Sequence, residues 1–255
     1  MKYGESTFDI LYLVFAILTG IVILLRRRNK ADVLMGTAAL VLGAGDAFHL
    51  VPRVLNYFSD RDMTWYLGFG KLVTSITMTV FYILVFYLYK TVYRKEARNG
   101  VPVRSEGAGS GDPVRAGSSG SGDPVRAGSA GNVKAFGGTI LLLAAVRVAL
   151  CLLPGNNWFS GEGTVLWGII RNVPFIVIGA LIVYLYYGVR KEDRYLLRFW
   201  IYTALSFLFY IPVAVFAPLL PILGMLMLPK TICYILMLVS FLRRNSGKET
   251  EEAKA

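Results

Sequence analysis

Histidine occurs once in this chain, cysteine twice, and carboxylates sixteen times against twenty-seven Lys and Arg. Each scarcity removes a class of protein. A catalytic metal site needs three or more converging ligands. His49 and the two cysteines, Cys151 and Cys233, both inside apolar runs, do not supply that spacing, so no metal and no cofactor is expected. The same two cysteines offer no disulfide framework. Charge as a whole is sparse, at 17% of residues against 55% hydrophobic, and it is segregated between long apolar runs. A soluble surface would spread it along every element. The formal charge of +11 invites a nucleic-acid reading, but its placement makes it a topology signal with some attraction to anionic lipid. No nucleic-acid partner is expected.

What is abundant is apolar length. Seven runs cover residues 8–25, 33–57, 65–89, 133–153, 165–187, 196–217 and 219–242. Crossing about 30 Å of hydrocarbon takes roughly 20 residues at about 1.5 Å each. The sequence therefore predicts an all-α membrane protein, a seven-transmembrane-helix bundle. With alternating spans, twenty Lys and Arg fall on one side and only Lys2 and Arg61 on the other. Cytoplasmic loops concentrate Lys and Arg, which puts the N-terminus outside and the C-terminus in the cytoplasm. The first run carries its basic cluster, residues 26–30, after it and not before it, so it reads as a retained anchor instead of a cleaved signal.

Residues 1–99 hold helices one to three, 133–243 helices four to seven, and 244–255 a cytoplasmic tail, all in one membrane domain. Between them, 100–132 is rich in Gly, Ser and Pro, with the string SGDPVRAGS at 110–118 and again at 121–129. Such a segment cannot bury a core and is expected to be a disordered cytoplasmic linker. No repeat relates the parts on either side, so an inverted-repeat transporter has no support in the sequence.

Five cations fall well inside the runs, away from the ends that carry Lys134 and Arg198: Arg53, Lys71, Arg147, Arg171 and Lys230. With them goes one acid, Asp46, and the lone His49. A central cation costs about 2.5–3.5 kcal/mol to insert, so five require a reason. Counting helical rise places four of the cations roughly 6–11 Å from the outer end, and Lys230 and Asp46 roughly 14–16 Å. All lie in the outer half or at the middle. Faces agree: Asp46, His49 and Arg53 form one stripe, Lys71 shares a face with Ser75, Asn172 lies beside Arg171, Tyr210 faces inward from helix six, and Lys230 precedes Tyr234 by four. Pro52, Pro174, Pro212 and Pro229 mark the same places, each freeing a backbone carbonyl.

Plainer accounts exist for single residues: snorkelling to lipid phosphates for the shallower cations, an ion pair for Asp46 with Arg53, simple packing for His49. Taken together, Asp46, His49, Arg53, Lys71, Ser75, Arg147, Arg171, Asn172, Tyr210 and Lys230 are the candidate ligand-binding set. Their positive surplus calls for an anion. The expected function is binding of an anionic small molecule or lipid headgroup in an outward-facing cationic cavity, as in a receptor or sensor. Alternatives are a transporter of an anionic substrate and an intramembrane enzyme using Asp46 and His49. A third is a retinal-type photoreceptor through Lys230: seven helices with a deep lysine in the last resemble a microbial rhodopsin in outline. Against that last reading, helix three carries Lys71 and no carboxylate counter-ion.

The strings GDAFHLVPR, GKLVTSITMT, RNVPF and LMLPKT resemble those of an uncharacterised family of bacterial multi-helix integral membrane proteins. The resemblance covers the spans and not the Gly/Ser-rich insert. It implies a bacterial cytoplasmic membrane setting, with membrane lipid as a partner, and no activity.

Overall fold

A computed structural model of the chain describes residues 2–59, 61–99, 124–160, 165–216 and 220–252. Seven α-helices and two short 3-10 turns form the described part, with no strand among the described residues. The helices are α1 (Lys2–Leu25), α2 (Lys30–Phe58), α3 (Thr64–Asn99), α4 (Pro124–Leu152), α5 (Val165–Gly188), α6 (Phe199–Phe216) and α7 (Met227–Glu252). Six of them contain stretches long and apolar enough to cross a membrane; the corresponding apolar part of α4 is the shorter Phe136–Leu152.

Local chemistry sets the ends. Asn29 and Asp32 form a reciprocal capping box that starts α2, satisfying backbone N–H groups that the first turn leaves over. Asp62 accepts from the Thr64 backbone N–H at 2.9 Å where α3 begins, and its bonds with Thr64 hold its carboxyl below its ordinary value. The last run, expected as one helix from residue 219, is broken: Pro221–Leu226 is a 3-10 turn and α7 starts only at Met227. Pro229 therefore lies in the first turn of α7, where a proline needs no helical donor, instead of kinking a helix interior. Pro52, Pro174 and Pro212 do sit inside their helices. The insert at 100–123 lies outside the described residues. Residues 124–132, expected in the linker, belong to the helical backbone of α4.

The helices pack in chain order as a closed ring. Each neighbours the next, α1 meets α7, and α3 also reaches α5. α3 supplies the central ridge. Phe81 packs edge-on to Tyr234 of α7, and Tyr82 contacts Phe175 of α5 and Phe207 of α6 at 5.3 Å each. Outward faces carry exposed Leu11, Leu18, Leu142, Leu166 and Leu208, an apolar exterior that suits lipid and not water. α2 and α3 approach closely where Pro52 leaves the Phe48 carbonyl without its helical donor. Gly70 of α3 packs directly on that carbonyl, and a Cβ there would collide with it. At the opposite end, Arg244 Nε donates to Asp193 Oδ2 at 2.6 Å. Residue 244, assigned by sequence to the cytoplasmic tail, is only 4% exposed.

Candidate functional site

The short loop after α4 is built to hold an arginine. Pro154–Asn156 makes one 3-10 turn, and Asn157 takes the left-handed conformation at φ 46°, which asparagine tolerates. Asn156 is buried. Its Nδ2 donates to the Leu150 and Leu153 carbonyls at 2.6 and 3.0 Å, covering carbonyls that the end of α4 leaves free. Its Oδ1 then accepts from Arg171 Nη1 at 3.0 Å. Trp158 is anchored through Nε1 to the Cys151 carbonyl at 2.8 Å, and the Arg171 guanidinium stacks 4.2 Å from its ring centre. The sequence offers the loop at 154–158 only as part of the lip of the site; Asn156 and Trp158 are instead direct partners of Arg171.

Arg147, one turn before Cys151 on α4, lies deeper. It is 2% exposed, its guanidinium sits 3.4 Å above the centre of Phe175, and its Nε and Nη1 make no hydrogen bond. Its electrostatic neighbours are Tyr210, Cys151, Arg171 and Lys230. Tyr210 donates to Asn172 Oδ1 at 2.7 Å, and the Lys230 ammonium rests 4.5 Å from the Tyr210 ring centre and 5.4 Å from that of Tyr234. Lys71, exposed at the start of α3, is in Coulombic reach of Arg171 and His49. Among the described residues no carboxylate forms an ion pair with Lys71, Arg147, Arg171 or Lys230.

Lys230 also faces an acidic side. Asp46 interacts with it electrostatically and accepts from the Tyr12 hydroxyl at 2.6 Å. Asp9, one turn before Tyr12 on α1, is 4% exposed, interacts with Asp46, and leaves Oδ2 without a hydrogen-bond partner. The expectation of a single acid among the cations is therefore corrected: α1 brings Asp9 to the interior. His49 adjoins Lys71 and Lys230, with its Nδ1 unpartnered.

The structure thus brings together Lys71, Arg147, Arg171, Asn172, Tyr210 and Lys230, with Asp46 and His49 alongside. Two of the expected residues stand apart. Arg53 forms an ion pair with Glu5, which also accepts from the Tyr57 hydroxyl, so its charge is already met. Ser75 spends its hydroxyl on the Lys71 carbonyl at 2.7 Å, a bond within its own helix.

These features define a helical membrane protein with a polar interior at one end. No protein-family profile matches the chain, and no curated protein sequence matches it. The likeness to a bacterial multi-helix family rests on its four sequence strings alone.

Proposed function

We propose that the protein binds an anionic small molecule or lipid headgroup, carboxylate or phosphate, through Arg147, Arg171, Lys71 and Lys230. Asn172 and Tyr210 position the aromatic and polar wall. The observation that carries this reading is Arg147: a buried guanidinium with two unpartnered nitrogens and no carboxylate against it. A buried charge is costly unless paired, and an arginine fork suits a planar carboxylate or a phosphate. Arg171, held by Asn156 and Trp158, offers a second fork at the more exposed edge.

The site belongs to a bundle with seven crossings, its N-terminus outside. Counting α4 as a span keeps the basic segments at 26–30 and 190–198 and the tail on one side. Omitting it would move the last two to the other face, against the usual enrichment of cytoplasmic loops. The polar interior then opens outward, in the cytoplasmic membrane of a bacterium.

Thermal unfolding of the full chain in a neutral detergent tests the site. Inorganic phosphate and a short carboxylate are titrated in one arm, and phosphatidylglycerol micelles in the other, which separates a free anion from a headgroup. A saturable rise in Tm that is lost in Arg147→Met and Arg171→Gln, and kept in Arg53→Gln, is expected. An unchanged response in both site variants overturns the assignment.

A further inference from the structure

Away from the cation site, α5 and α6 leave a groove of about 550 Å³ between them. Gly179 and Ala204 form its floor with the side of Phe207, Ala180 lies at its exposed edge, and Tyr187 and Trp200 close the end nearest the α5–α6 loop. The floor exists because the residues there are small: a Cβ on Gly179 would fall against the Phe207 ring. Along α5 the groove runs from Ile176 to Tyr187, about 16 Å at the helical rise. That matches one leaflet, half of a hydrocarbon core about 30 Å thick. At the closed end, Arg190 lies with its guanidinium 3.9 Å from the Tyr187 ring centre and one nitrogen on the Tyr187 carbonyl at 2.8 Å. No carboxylate forms an ion pair with it among the described residues. Tyr187 and Trp200 pack edge to face at 5.0 Å, the residue types that mark a membrane–water boundary.

We infer that this groove is a binding site for one anionic phospholipid, with an acyl chain along α5 and α6 and its phosphate on Arg190. The apolar length fits a single chain, and Arg190 at its end carries a positive charge that no carboxylate pairs among the described residues. A zwitterionic lipid fills the same groove but gains less from Arg190, because its own cation accompanies the phosphate. A cation near the membrane surface contributes on the order of fivefold in affinity for anionic lipid. The inference uses none of the residues of the anion site and stands or fails separately from it.

The test is native mass spectrometry of the full chain released from vesicles of equal phosphatidylglycerol and phosphatidylcholine. The wild type is expected to retain one phospholipid, with phosphatidylglycerol preferred. Arg190→Gln should lower that preference about fivefold while leaving a lipid bound. Ala180→Trp, which fills the groove from its exposed side, should lose both lipids; Ala204→Phe asks the same question from α6 if the first variant misfolds. Unchanged retention and preference in Arg190→Gln and in a folded filling variant overturns the inference. So does a cross-linked dimer that the filling variants abolish without loss of lipid, because the groove is then an interface between copies.

Discussion

Arg147 against Phe175 shows how one side chain can be costly to the fold and useful to the site. An unsatisfied buried polar group costs about 1–3 kcal/mol. Arg147→Met keeps length and apolar bulk and removes the charge. It is expected to raise stability by about that amount in the absence of anion while abolishing the response to phosphate or carboxylate. Thermal melts with and without anion read both signs at once. A merely structural arginine would give a loss in the first and no change in the second. Glu5→Gln is the contrasting case. Its pair with Arg53 is about a quarter exposed on each side, and such pairs contribute below about 1 kcal/mol after solvent screening. Little change in Tm and an intact anion response are expected.

Between helices the interactions that matter are made by loops and close backbones. Asn156 ties the end of α4 to Arg171, so Asn156→Ala should cost about 1–3 kcal/mol and weaken anion binding together, read by denaturation and by the same titration. Gly70→Val would push α2 away from α3 at the Phe48 carbonyl; loss of a monodisperse species in size-exclusion chromatography checks it. The stripe holding Asp46 and His49, and the pairing of Lys230 with Tyr234, were legible in the sequence because helical spacing fixes which residues share a face. Their partners on other helices were not. Glu5 and Asp9 sit at the edge of the first apolar run, where an acid reads as a solvated flank. Only the packing of α1 against α2 turns them inward to Arg53 and Asp46. Likewise the late start of α7 comes from Pro221, Gly224 and Pro229 acting together in three dimensions, while hydropathy alone reads straight through them.

For the molecule as a whole, the apolar runs were the strongest sequence signal and the ring order was invisible to them, since a run's length says nothing about its neighbours. The proposed sidedness is open to direct measurement. Cys151 and Cys233 are buried, which keeps background labelling low. A cysteine placed at Ser59 should react with an impermeant maleimide in intact cells, and one at Ser110 only after the membrane is opened; the reverse pattern would invert the bundle. The ring closes where α7 meets α1 and α2, and that has a consequence for synthesis. Asp46 enters the membrane 184 residues before Lys230 is made, which is roughly 9–37 s at about 5–20 residues per second. For that interval the nascent chain holds this carboxylate among apolar helices with the Lys230 ammonium still unmade. A chain stalled after α6 is therefore expected to carry an unmatched acid in its interior, and faster degradation in cells of a chain truncated at residue 216 than of the full chain checks it.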